Sequence, residues 1–138
     1  KDKALLAGVL GGKLAEGVDY PENILDAVIC IGLPLPPPSA RQDALKDYYE
    51  DRYGSARAWR YAGSQPAVNR LMQAVGRPIR KAADRALVVL LEKRLLQRGF
   101  KICMPEGIHA VETVDSERTG RHAERFFENH PKPAMFTE

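Results

Sequence analysis

Three short apolar runs, Leu5 to Leu10, Ala27 to Leu33 and Ala86 to Leu91, are separated by stretches of helical periodicity, and this alternation constrains the fold more than any other property of the chain. Each run is continuous, rich in Val, Ile and Leu, and bounded by Gly, Pro or charge, which predicts strands buried on both faces, as in a parallel sheet. Between the second and third runs, Ser39 is placed to cap a helix reaching Tyr53. There Leu45, Tyr49 and Tyr53 recur every four residues while Asp43, Lys46, Asp47 and Glu50 face outward, and Gly54 ends the element. Ser64 and Pro66 predict the start of another helix, whose core stripe is Val68, Leu71, Met72 and Val75 and whose opposite face holds Asn69 and Gln73. Lys93 to Arg98 reads as a short helical piece stopped by Gly99, and Glu117 to Asn129 as a last helix closed by Pro131. Strands alternating with helices predict an α/β layer architecture with right-handed crossovers. Pro34, Pro36, Pro37 and Pro38 follow the second strand and read as a rigid extended connection at its carboxyl end, the edge where open α/β sheets place their ligands.

The 138 residues suit one domain, and a chain of that size buries roughly 68 per cent of its unfolded surface. With 44% hydrophobic and 28% charged residues, disorder, collagen and coiled coil are excluded as overall readings. The longest apolar stretch, Ile24 to Leu35, is interrupted by Asp26 and falls short of the length that crosses a bilayer, and no secretory signal is present, so a cytoplasmic location is expected, or a nuclear one in a eukaryote. Cys30 and Cys103 show no Cys-x-x-Cys spacing and read as reduced core thiols; His109, His122 and His130 are too irregularly spaced for zinc, and no metal-ligating residue is assigned. The opening Lys1-Asp2, without a methionine, suggests a segment of a longer protein.

The net charge of +3 is unevenly distributed. From Arg70 to Lys101 nine basic residues face only Asp84 and Glu92, a local balance of +7, while the flanking stretches are slightly acidic. Basic stretches commonly decorate a solvated face. This one coincides with a more specific pattern, which favours an anionic partner.

That pattern is Gln73-Ala-Val-Gly-Arg-Pro-Ile-Arg80. Two arginines three apart, Arg77 and Arg80, beside Gly76 and Gln73, offer planar guanidinium forks suited to phosphate oxygens. Pro78 cannot continue a helix and biases Arg77 toward extended geometry, so the helix is expected to end near Gly76. Upstream, Gly11-Gly12-Lys13-Leu14-Ala15-Glu16-Gly17-Val18-Asp19-Tyr20-Pro21 is a glycine-rich turn that leaves an apolar run and closes on carboxylates. It is not a Walker A loop, because the Gly-x-x-x-x-Gly-Lys-Ser/Thr spacing is lacking and Leu14 stands where the hydroxyl belongs. Taken singly, the arginines read equally as surface residues after a helix, and Glu16 and Asp19 as exposed carboxylates. Trp59 reads first as packing and second as a base-stacking platform, with Arg60 a nucleic-acid contact candidate.

As an ordered pair the two segments resemble motifs V and VI of the superfamily 2 DNA helicases, and Glu-Gly-x-Asp-Tyr-Pro with Gln-x-x-Gly-Arg-x-x-Arg is similar to the XPD branch and its bacterial DinG relatives. The resemblance implies a RecA-like parallel sheet flanked by helices, part of a second helicase lobe, with residues 1–100 as the core and 101–138 as a C-terminal extension. It implies Arg77 and Arg80 as catalytic arginine fingers, Gln73, Gly76, Glu16, Gly17 and Asp19 on the nucleotide side, with Asp19 able to hold Arg77 or Arg80, and Lys13 and Gly12 near nucleic-acid phosphates. It further implies ATP with magnesium shared with a first lobe, single-stranded DNA as partner, a monomer, 5′ to 3′ movement and nucleotide excision repair. A 4Fe-4S cluster would belong to other domains of the parent and not to this chain. Alone, the chain is expected neither to hydrolyse ATP nor to unwind DNA. A stand-alone nucleic-acid-binding module and a protein-interaction domain acting through the acidic tail remain as other functional classes.

Overall fold

The computed structural model describes residues 4–13, 17, 20, 24–79 and 81–131. The chain divides into two compact units, residues 1–106 and residues 107–138. In the first, strand β1 (Ala27–Ile31) and strand β2 (Leu87–Leu91) pair in parallel, in a register running from Ala27 opposite Leu87 to Ile31 opposite Leu91. Helices α1 (Ala40–Tyr53), α2 (Ser55–Trp59) and α3 (Gln65–Val75) lie in the connection between them. This is the expected α/β arrangement of a parallel sheet flanked by helices.

α1 begins where Ser39, in extended conformation, accepts a hydrogen bond from the Gln42 N–H at 3.2 Å. It ends at Gly54, whose φ of 82° is open to glycine at little cost and whose N–H reaches the Glu50 carbonyl at 2.8 Å. No residue of α1 is fully buried. Its four-residue stripe meets aromatic partners instead: Tyr49 lies 5.5 Å from the Tyr61 ring and Tyr53 5.1 Å from it, centroid to centroid.

From Ser55 to Val75 the chain is helical throughout, and α3 starts at Gln65 with Pro66 in its first turn, as expected; Ser64, however, is buried, has helical angles (φ −65°, ψ −46°) and makes no capping bond. What the proline does there is widen the helix. Residues Arg60–Ser64 form a π-type turn closed by the Gln65 N–H on the Arg60 carbonyl. Pro66 has no N–H to offer the carbonyl of Ala62, four residues back, and its ring crowds that oxygen. The Gln42 side-chain amide fills the vacancy, donating to the Ala62 carbonyl at 2.6 Å and pinning α1 to the turn.

The core of this unit is built on α3. Val68, Leu71 and Ala74 are buried together with Cys30 of β1 and with Leu95, Phe100 and Cys103, and Leu10, Met72 and Val75 pack against the cluster. Leu95 belongs to a 3₁₀ turn, Lys93–Leu96, capped by Glu92, and Phe100 to helix α4 (Arg98–Lys101). Gly99 therefore lies inside α4 and stops nothing. The break comes at Gln97, in extended conformation (φ −71°, ψ 141°).

Two further expectations are corrected. Residues 4–9 form no strand, and Leu5 is 94% exposed; a strand needs a neighbouring ladder, and no described segment offers one to this run. Nor is the sheet buried on both faces: Cys30 is buried, but Ile29, Ile31 and Leu91 are exposed, because the described helices cover only one side. The prolines 34–38 lie in a connection without regular structure, as expected.

In the second unit, helix α5 (Ser116–Asn129) starts at Asp115, which accepts from the Arg118 N–H at 2.7 Å, and ends at His130. Thr113 and Thr119 share a 2.7 Å hydroxyl bond across its first turn. Among the described residues no helix is long and apolar enough to cross a membrane.

Candidate nucleotide and nucleic-acid site

The segment Gln73–Ile79 is the end of α3 and the turn that follows. α3 stops at Gly76 as anticipated, with helical angles (φ −75°, ψ −10°) and its N–H on the Met72 carbonyl at 2.9 Å. Glycine is favoured by closeness, since a Cβ there would sit 3.3 Å from the Met72 oxygen. Beyond it Arg77 does not extend. Its N–H donates to the Ala74 carbonyl at 3.2 Å and the Ile79 N–H to the Gly76 carbonyl at 3.3 Å, so two turn hydrogen bonds outweigh the bias imposed by Pro78. Pro78 is buried and anchors the turn, Arg77 is half-buried, and Gln73 is exposed. Gln73, Gly76 and Arg77 thus recur at three and four residues along one helix end, a spacing that puts them on one side of it. A helix C-terminus carries partial negative charge, so this end attracts anions only through its cationic side chains.

The upstream segment turns as its glycines suggest. Gly12 donates its N–H to the Val9 carbonyl at 2.9 Å, with Gly11 at φ 85°, the third-position geometry of a turn that requires positive φ. A Cβ on Gly12 would come within 3.0 Å of the Val9 oxygen. Lys13 and Gly17 are exposed, and a Cβ on Gly17 would stand 3.8 Å from the Lys13 Cβ. Glu16 and Asp19 lie outside the described residues, as does Arg80. The two segments share an anchorage: Leu10, just before the glycine turn, packs on the same core cluster as Met72 and Val75 of α3.

Other candidates are placed differently. Arg60, expected to contact nucleic acid, donates from its guanidinium to the Ile102 carbonyl at 3.3 Å, and its Nε is buried without a partner. The side chain braces the α4 turn and is half-buried there. Trp59 lies against Gly63, where a Cβ would come within 2.7 Å of the indole, so this ring packs on its own helix while remaining 43% exposed. Arg94, counted in the basic stretch, is committed locally: Glu92 accepts from its backbone N–H and Nε, each at 2.9 Å. The Arg94 hydrogen bond holds the Glu92 carboxyl below the ordinary carboxylate range. Lys81, Arg85, Lys93, Arg98 and Lys101 stay exposed. Among the described residues, no group of three or more His, Cys, Asp or Glu gathers as for a metal. Cys30 and Cys103 are free and buried, and burial raises the Cys30 thiol pKa.

A feature absent from the sequence reading is the basic lining of α5, where Arg118, Arg121, His122 and Arg125 border one shallow cleft. The tail's negative sum concealed it; plotting the residues by helical position was the available signal.

Comparison with known proteins bears on both segments. The family described as "Helicase C-terminal domain" matches residues 1–110. The chain is 39% identical over 98 residues to the Fanconi anemia group J protein homolog of Gallus gallus, covering 68% of this chain and 8% of the relative. It is 31% identical over 153 residues to the ATP-dependent DNA helicase CHL1 of Yarrowia lipolytica, covering 94% and 18% respectively. With the Regulator of telomere elongation helicase 1 homolog of Caenorhabditis briggsae it shares 31% over 134 residues, covering 90% and 13%. The chain therefore spans less than a fifth of the length of these relatives.

Proposed function

Because this chain belongs to the family of helicase C-terminal domains, we propose that it is the portion of a second motor lobe that lends arginines to an ATP molecule held mainly by a first lobe. The observation that carries this reading is the family match across residues 1–110, which contains both segments; their common anchorage through Leu10, Met72 and Val75 supports it.

The donors at the end of α3 suit the terminal phosphate of ATP from one side. Gln73 offers an amide, and Arg77 with Arg80 offers guanidinium forks, while the phosphate cradle itself would come from the first lobe, since this sequence has none. ATP, with its magnesium, supplies the phosphoanhydride bond whose cleavage powers such motors. Arg77 and Arg80 neutralise charge on the transferred group, and fingers of this type contribute on the order of 10³ to 10⁵ in rate. Asp19 holds one of them in place, and Glu16, Gly17 and Gly76 border the same cleft. On the other side of the glycine turn, Gly12 and Lys13 meet the phosphates of single-stranded DNA. Closure of the lobes around ATP and release after hydrolysis then become a step along the strand.

Within the superfamily we place the parent in the XPD-type branch, with a bacterial DinG-like lobe as the alternative. Movement 5′ to 3′ and a 4Fe-4S cluster in another domain follow from that placement. The excision-repair role rests on the resemblance alone; the relatives' names speak of ATP-dependent DNA helicases, of Fanconi anaemia and of telomere elongation.

The test is Arg77→Ala and Arg80→Ala in the parent protein. Each is expected to cut ATP turnover by at least about 10³ and to leave single-strand affinity within a few-fold. Unchanged turnover in both variants refutes the finger assignment.

A further inference from the structure

We propose that α5 carries a second contact for the phosphate backbone of nucleic acid, formed by Arg118, Arg121, His122 and Arg125 and separate from the motor segments. The four residues sit at i, i+3, i+4 and i+7 and border a cleft of about 220 Å³. At roughly 100° per residue they fall in one sector of the helix, Glu117, Glu124 and Glu128 in the adjoining one, and Thr119, Ala123 and Phe126 in a third. The third sector is half-buried and the basic one exposed. A segment that is acidic in sum is therefore sorted into separate stripes, and the side chains of the basic stripe border a shallow open cleft.

Charge in this stripe is available. Arg121 is bound to Glu117, but Arg118 and Arg125 have no side-chain partner among the described residues. Seven residues of helix span about 10 Å, the axial length of about three phosphates on one strand of a duplex. Guanidinium forks also suit carboxylates, yet an acidic peptide helix docks through an apolar floor, and here the apolar residues lie on a different sector. A phosphodiester backbone requires only the cations. The stripe also lies beyond residue 110, outside the region matched by the helicase family and in the other compact unit, so it is not one of the motor segments.

This inference rests on the nucleic-acid reading above, and one titration separates the two. Fluorescence anisotropy of labelled oligothymidylate is measured with the 138-residue chain between about 50 and 200 mM salt. Replacing Arg118 and Arg125 together by Ala, with helicity checked by circular dichroism, is expected to weaken binding about tenfold at the low-salt end. The slope of log affinity on log salt should become shallower by about 1.4, two contacts at about 0.7 each on a single strand. Glu117→Gln, which frees Arg121 without removing a cation, is expected to tighten binding a few-fold, so a loss of helix in the alanine variant still leaves a decisive measurement. Unchanged affinity and slope in the alanine variant, with Lys13→Ala weakening binding, overturn the α5 contact alone. Failure of the unmodified chain to bind oligothymidylate at any salt overturns it together with the single-strand track. Labelled polyglutamate that binds the unmodified chain and is lost in the alanine variant, while oligothymidylate does not bind, assigns the stripe to an acidic protein and overturns the proposal.

Discussion

Replacing Gly63 by Ala tests the packing that sets up α3. On an ordinary helix the change would stabilise by roughly 0.5–1 kcal/mol, because glycine loses more backbone freedom on folding. Here the new Cβ would stand 2.7 Å from two atoms of the Trp59 ring and 2.8 Å from a third. Ordinary carbon contact lies near 3.5 Å, so the ring or the turn must give by about 0.8 Å. Overpacking of that order costs about 1–3 kcal/mol. The propensity gain offsets part of it, leaving a net loss of about 1 kcal/mol. Trp59 is the chain's single tryptophan, so intrinsic fluorescence reports on that ring alone. The assay is urea denaturation of Gly63→Ala with the native emission spectrum recorded beside it. A double-mutant cycle with Trp59→Leu, followed by circular dichroism, should show coupling of at least about 1 kcal/mol, because without the indole the alanine recovers its helical advantage. A Gly63→Ala chain that gains the full propensity term and keeps its emission maximum would falsify the packing of the indole on the π-type turn.

Leu71 is 1% exposed at the centre of the cluster shared by β1, α3 and the 3₁₀ turn. Leu71→Ala should cost about 3–4 kcal/mol and lower the melting midpoint by about 10 °C, measured by thermal circular dichroism. The Glu92 side chain is 8% exposed and its pKa is lowered, so its contribution is complete above the ordinary carboxylate range and is lost as pH falls through the depressed folded value. Glu92→Gln should destabilise by about 1 kcal/mol at pH 7, the exposure of Arg94 keeping the figure small, and urea melts of the two proteins should converge as the pH falls below the ordinary carboxylate range and through the depressed folded value.

Legibility of this chain followed the range of the interactions involved. β1 and β2 were readable within a residue or two because their apolar runs are continuous and bounded, and the end of α3 because Gly76 and Pro78 act locally. Leu5 to Leu10 carried the same composition without becoming a strand, since pairing depends on a neighbour that composition does not reveal. Pro66 marked the start of α3, but that the chain before it is already helical and widens into a π-type turn depends on the Ala62 carbonyl, which Gln42 satisfies from another helix. The same holds at the site. Gln73, Gly76 and Arg77 were legible as a local pattern, whereas the diversion of Arg60 to the Ile102 carbonyl arises from a contact 42 residues away. The α5 stripe was hidden for the opposite reason: summing charge along the tail discarded the helical order that separates Arg from Glu.

Among the described residues the ladder has two strands, each with an outer margin, and its uncovered face carries Ile29, Ile31 and Leu91, all bare to solvent. Such a ribbon is a template for any extended backbone it meets, including that of another molecule of the same kind. Handled at high concentration, this polypeptide should therefore self-associate through its sheet before its helices unfold, and a charged residue at position 29 or 31 is the economical way to keep it dispersed.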